Sequence, residues 1–162
     1  MSRIEVENVA VENMTAIIAP GLLKKEIPVY NGTALQVADH RQAVRRIIHK
    51  DDPRMLVIVG PCSIHNVDEA LEYARLIAGA RKEFGNKLEI MMRVYGEKPR
   101  TTTGWPGFIP DPYLDGSMCI GDGLRMMRGL LREITKLGVP CATEFVDALV
   151  PHYIADFISW AA

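Results

Sequence analysis

Met55-Leu56-Val57-Ile58-Val59, closed by Gly60-Pro61, is the stretch on which the fold turns. A short unbroken apolar run rich in β-branched side chains is the pattern of a strand covered on both faces, as in a parallel sheet. Just downstream, Asn66 and Glu69 have the spacing of a helix N-terminal cap. Val67, Ala70, Leu71, Ala74, Ile77 and Phe84 then give that helix an apolar face, and Gly85-Asn86 ends it. Leu88 to Val94 is expected to form a second strand. A Pro/Gly-rich stretch from Gly96 to Gly121 leads to a helix marked by Leu124, Met127, Leu131, Ile134 and Leu137 and stopped at Gly138. Cys141 to Val146 reads as a third strand and Val150 to Trp160 as an amphipathic helix.

Upstream, Thr33 with Gln36 has the form of a capping box before a helix carrying Val37, Val44, Ile47 and Ile48, stopped by Asp51-Asp52-Pro53. Met14 to Ile18 is a short β-like run, and Pro20-Gly21 and Asn31-Gly32 read as breaks. Repeated βα units imply parallel strands with helical crossovers. A doubly wound sheet and a (β/α)8 barrel both satisfy that order. A barrel takes about 250 residues, so this chain would supply about three of its eight units. The end at Trp160-Ala161-Ala162, with no polar tail, reads as a chain cut short.

The 162 residues, 48% hydrophobic and of net charge −1, suit a soluble domain with a real core and exclude disorder. The balance of 19 basic and 20 acidic residues argues against a nucleic-acid or membrane-surface partner. Cys62, Cys119 and Cys141 are too scattered for a disulfide framework. The N-terminus lacks the apolar region of a secretory signal, and no apolar run reaches the roughly 20 residues of a membrane span. A reduced, cytoplasmic chain is expected.

Ligands of parallel α/β folds sit at the carboxyl ends of the strands, and three clusters fall there. Gly60-Pro61-Cys62-Ser63-Ile64-His65 follows the first strand. Cys62 there is a divalent-metal ligand helped by His65, a Cys–His nucleophile, or a small residue in a tight turn. Arg93-Val-Tyr95-Gly96-Glu97-Lys98-Pro99-Arg100-Thr101-Thr102-Thr103-Gly104-Trp105 follows the second. Its cations are set to bind an anion, or else to pair with Glu97 and Asp111 in a solvated loop. Glu144, after the third strand, either orients a cation or forms a structural pair with Lys98 or Arg93. Met91, Met92, Met118, Met126 and Met127 read as core, and His40, His49 and His152 as surface histidines. Lys24-Lys25 and Arg45-Arg46 are solvated charges, and the glycines carry no nucleotide fingerprint.

Gly60-Pro-Cys-Ser-Ile-His65, Met92-Arg-Val-Tyr95, Glu97-Lys-Pro-Arg-Thr-Thr102 and Gly104-Trp105 resemble the microbial class I 3-deoxy-D-arabino-heptulosonate 7-phosphate (DAHP) synthases. The likeness continues through Asp111-Pro112, Asp122-Gly123-Leu124, Ala142-Thr-Glu-Phe145 and Ile158-Ser-Trp160, over roughly residues 33–162. It implies a (β/α)8 barrel with an N-terminal extension: residues 1–50 as the extension, 51–162 as the first, incomplete part of the barrel. It also implies condensation of phosphoenolpyruvate with erythrose 4-phosphate, the opening step of the shikimate pathway. Cys62 matches the family's metal-binding cysteine, for a divalent ion. Arg93, Lys98 and Glu144 match residues around phosphoenolpyruvate. Pro99, Arg100, Thr101 and Thr102 match the erythrose 4-phosphate side, with Lys98 and Arg100 as the catalytic pair. Gly96 stands where the family has a bulky aromatic, and Pro106 where it has a lysine. The family's other metal ligands are expected beyond Ala162, so the chain alone is expected to be inactive. A homo-oligomer and an aromatic amino acid effector are also implied. The alternative is a truncated, non-catalytic product that binds anions or a partner subunit. The eight-carbon sugar acid phosphate synthases fit the Lys98–Thr102 context less well.

Overall fold

The computed structural model describes residues 14–98 and 103–162. Its strands are β1 (Met55–Val59), β2 (Leu88–Arg93), β3 (Cys141–Thr143) and β4 (Ile158–Ala161). The helices are α1 (Pro20–Glu26), α2 (Asn31–Ile48), α3 (Val67–Phe84), α4 (Ile120–Lys136) and α5 (Val150–Ile154). The strands form one parallel sheet in the order β1-β2-β3-β4. Met55 pairs with Leu88 and Val59 with Met92, Arg93 with Ala142, and Ala142 with Trp160 after an irregularity between Cys141 and Ala142. Strands that share one direction bring every carboxyl end, and every loop that follows, to one edge.

Strand β2 is covered on both faces, whereas β1, expected to be covered on both, leaves Met55 and Ile58 exposed. Ile90, Met92 and Val94 share a core with Ala70, Ala74 and Ile77 of α3 and with Leu124, Met127, Leu131 and Ile134 of α4. Burying each such large side chain contributes about 1.5–3 kcal/mol, so these two helices anchor β2. The intervening Met91 faces the other way, against Val44 of α2, Ala142, Leu56 and Trp160. On that same face, at the amino end of β2, Glu89 is only 2% exposed. It accepts hydrogen bonds from Arg54 at 2.6 Å and Arg81 at 3.1 Å and pairs with His40 at 2.8 Å. His40 is therefore not a surface histidine. A buried carboxylate needs partners, and α2 supplies one.

Helix ends follow local chemistry. Asn66 Oδ1 accepts from the amides of Asp68 and Glu69, capping α3. Glu69 does not return the bond and pairs with His65 instead, at 3.2 Å. Gly138, at φ +77°, closes α4 in the left-handed conformation that glycine tolerates best.

Several expectations are corrected. Helix α2 starts at Asn31 with no side-chain cap, so Thr33 lies inside it, buried. Pro20 opens α1 rather than breaking the chain, because the first helical turn needs no N–H from it. Residues 14–18 form no strand. The third strand is short, Cys141–Thr143. The expected helix from Val150 to Trp160 is a five-residue helix, a 3-10 turn (Ala155–Phe157) and strand β4. A short buried apolar run looks the same in either state, and pairing with β3 decides it. Among the described residues, four strands are thus present where three were expected. Met118 is exposed, not core. Among the described residues, no helix is long and apolar enough to cross a membrane.

Candidate functional site

Arg93 closes β2 at the carboxyl edge, and its guanidinium is held from three directions. Nε and Nη2 donate to Glu144 Oε1 at 3.1 and 2.6 Å, and Nη1 donates to the carbonyls of Pro61, at 2.9 Å, and Cys62. Arginine has five N–H groups, so these four bonds leave one unused. The ring of Tyr95 lies against the same guanidinium, 5.0 Å from its Cζ to the ring centroid. Glu144, just past β3, thus pairs with Arg93 and not with Lys98.

The turn after β1 reaches Arg93 because residue 60 has no side chain. A Cβ on Gly60 would lie 2.6 Å from the Arg93 carbonyl oxygen. The amide of Ile64 then donates to Tyr95 O at 2.7 Å, and Ser63 Oγ to the same oxygen at 3.2 Å. Cys62, exposed at the turn's tip, accepts from Lys98 Nζ at 2.5 Å through its Sγ. That bond, reinforced by the Lys98 charge and then by Arg93, holds the thiol below its ordinary range. Lys98 and Arg93 therefore converge on one residue, Cys62. His65 pairs with Glu69 on α3, and the thiol's partner is Lys98, so Cys62 and His65 form no hydrogen bond with each other among the described residues.

The long loop folds back on this edge. Lys98 N donates to Pro106 O at 2.7 Å, and Ile109 N to Gly96 O at 2.8 Å. Residue 106 serves through its carbonyl, so proline costs nothing there. A Cβ on Gly96 would meet Ile109 Cγ1 at 3.1 Å and Met127 Sδ at 3.2 Å. Ile109 and Met127 occupy the space that a larger residue 96 would need. Glu97 lines a cavity of about 260 Å³ with Lys98, Pro106, Pro110, Val146 and Asp147. Burial, and then the Asp147 charge, push its carboxyl up to about 7. Arg93 pairs with neither Glu97 nor Asp111. Asp111 is buried, with Oδ2 accepting from Gly116 N.

Pro99, Arg100, Thr101 and Thr102 lie outside the described residues. Among the described residues, no three His, Cys, Asp or Glu side chains converge to hold a metal ion. Cys62 offers one donor, already engaged by Lys98. A catalytic metal takes three or more protein ligands, so these residues alone do not fit one. Tyr95 and Glu97 were missed as site residues. Tyr95 had a signal, since it stands two places beyond Arg93 in extended chain, where side chains share a face.

Comparison with known proteins shows the family of the chain. The profile of the DAHP synthetase I family matches residues 26–162. The Trp-sensitive phospho-2-dehydro-3-deoxyheptonate aldolase of Escherichia coli (strain K12) is 46% identical over 147 residues, covering 91% of this chain and 42% of that relative. A phospho-2-dehydro-3-deoxyheptonate aldolase of Amycolatopsis methanolica is 45% identical over 157 residues, covering 97% of this chain and 77% of the relative. The solved phospho-2-dehydro-3-deoxyheptonate aldolase of Francisella tularensis SCHU S4 superposes with a TM-score of 0.90 at 44% identity, over 93% of this chain and 44% of that one. The chain thus spans under half the length of the E. coli and F. tularensis proteins it matches. It belongs to the DAHP synthetase I family.

Proposed function

We propose that this chain carries the phosphoenolpyruvate-binding part of a DAHP synthase, which condenses phosphoenolpyruvate with erythrose 4-phosphate. One observation carries the reading: Arg93 and Lys98 converge on Cys62 at the carboxyl edge of the sheet. Two fixed cations side by side suit a substrate with both a carboxylate and a phosphate. Glu144 and the two backbone carbonyls set the guanidinium plane, so little ordering remains to be done when the anion arrives. Lys98 supplies a compact charge that can leave the thiol for a phosphate oxygen.

Pro99, Arg100, Thr101 and Thr102 are proposed for the erythrose 4-phosphate side, with Lys98 and Arg100 as the catalytic pair. A divalent ion, when bound, supplies Lewis-acid polarisation of the aldehyde. Cys62 is proposed as one donor to it. The four parallel strands are proposed as part of a (β/α)8 barrel over residues 51–162, with residues 1–50 as an extension. A cytoplasmic location and a homo-oligomer go with this reading. Relatives carry the names Trp-sensitive and Phe-sensitive, and an aromatic amino acid effector is proposed on that ground. A second reading, a non-catalytic anion-binding product, is favoured because no three metal donors converge among the described residues.

The test is phosphorus NMR of each substrate with the 162-residue chain. Both resonances are expected to broaden on addition of protein, and an unchanged phosphoenolpyruvate line overturns the reading.

A further inference from the structure

Tyr95 is 3% exposed, and its hydroxyl has no hydrogen-bond partner among the described residues. A stranded hydroxyl is costly, and buried polar groups are nearly always satisfied. Phenylalanine would fill the same space without that cost. The rest of the residue is firmly placed. Its carbonyl accepts from Ile64 N and Ser63 Oγ, and its ring stacks on the Arg93 guanidinium. A firmly placed residue thus carries an unsatisfied hydroxyl on a ring that lies against a guanidinium, and that guanidinium also keeps one N–H unused. Glu144 and Glu97 are near enough to oppose loss of its proton, after burial, so the phenol stays a donor.

We propose that Tyr95 is a substrate-binding residue whose O–H donates to an oxygen of the anion held by Arg93, a phosphorylated carboxylate. The inference rests on the reading of Arg93 and Lys98 as the anion site. Tyr95 adds a neutral donor of fixed direction, which selects geometry rather than charge. The stack ties that direction to the guanidinium, so the two donors arrive as one unit.

The test is Tyr95→Phe in the 162-residue chain. Thermal melts of the empty protein are combined with calorimetric titration against phosphoenolpyruvate, pyruvate and inorganic phosphate. The empty variant is expected to melt at the same temperature or higher, because a stranded donor has been removed. Its affinity for phosphoenolpyruvate is expected to fall roughly ten-fold, the usual worth of a hydrogen bond to a charged group. A matching loss for pyruvate places the bond on the carboxylate, and a matching loss for phosphate places it on the phosphoryl group. Phosphoenolpyruvate should also perturb the tyrosine ultraviolet spectrum of the wild type, and that change should shrink in the variant. Equal affinities for wild type and variant overturn the assignment of Tyr95 while leaving the anion site standing. So does a lower melting temperature with unchanged affinity, which would make the hydroxyl structural. A wild type that binds none of the three probes overturns the anion site itself, and this inference with it.

Discussion

Glu144 Oε1 lies 2.6 Å from Arg93 Nη2, joining the ends of two adjacent parallel strands at the edge where the candidate site is built. The pair is partly exposed, at 24% for Arg93 and 42% for Glu144. Exposed pairs contribute about 0–1 kcal/mol, so its role is orientation more than stability. Glu144→Gln is expected to move the melting temperature by no more than about 3 °C. Arg93→Ala is expected to cost more, about 1–3 kcal/mol, because the Pro61 and Cys62 carbonyls lose their donor as well. Denaturant unfolding of both variants checks the ranking, and a larger loss for Glu144→Gln would contradict it.

Gly60 and Gly129 should respond oppositely to alanine. The added Cβ at 60 meets the Arg93 carbonyl at 2.6 Å, whereas at 129, inside α4, it meets nothing within 4 Å. Gly60→Ala is expected to destabilise by about 1–3 kcal/mol. Gly129→Ala is expected to stabilise by about 0.5–1 kcal/mol through better helix propensity. Chemical denaturation measures both.

Glu89 sets the acid limit. Its partners His40 and Arg81 hold its carboxyl, despite burial, at about 2, below the ordinary 4.5. A lowered acid stabilises the fold above 4.5, and that contribution is lost as the pH falls through 2. Glu89→Gln should cost about 3 kcal/mol or more at pH 7, because it leaves cations facing a buried site without their counter-charge. The gap between variant and wild type should close between pH 4.5 and 2. A gap that stays constant with pH would mean that Glu89 acts by packing alone.

Glu97 shows the opposite sign. Its carboxyl is raised to about 7, so its contribution to stability is present below 4.5 and lost as the pH rises through 7. Glu97→Gln should therefore stabilise the protein at pH 8, by about 1 kcal/mol after solvent screening, and change little at pH 5. Thermal melts at the two pH values decide it.

The purified chain, given a divalent ion and both substrates, is expected to release no phosphate above background. Cys62 is a single donor, and no three-residue metal set converges among the described residues. A phosphate-release assay that shows turnover would contradict this.

What the sequence disclosed follows how far its signals reach. Strand β1 was legible from five consecutive apolar residues, and α3 and α4 from long periodic faces with Asn66 and Gly138 at their ends. Strand β4 was not, because Ile158-Ser159-Trp160-Ala161 is too short to show a period and is defined by its partner β3. The Arg93–Glu144 pair was one of two options for Glu144, and it forms because Arg93 ends β2 and Glu144 follows β3, strands that pair side by side. His40 was misread because its partner, Glu89, lies on a strand 49 residues away, and contacts at that separation leave no local pattern. Tyr95 was overlooked because an aromatic residue at a strand end reads as core until its hydroxyl is seen to lack a partner.

Calorimetric titration of the 162-residue chain with phosphoenolpyruvate tests the central claim most directly. Wild type is expected to bind saturably. Arg93→Ala and Lys98→Ala should each weaken binding roughly ten- to a hundred-fold, the worth of one or two charge-assisted hydrogen bonds. Arg132→Ala, which removes a cation paired with Glu133 on α4, should leave affinity unchanged. Absence of binding by the wild type, or equal affinity across all three variants, would contradict the assignment of Arg93 and Lys98 as the phosphoenolpyruvate site.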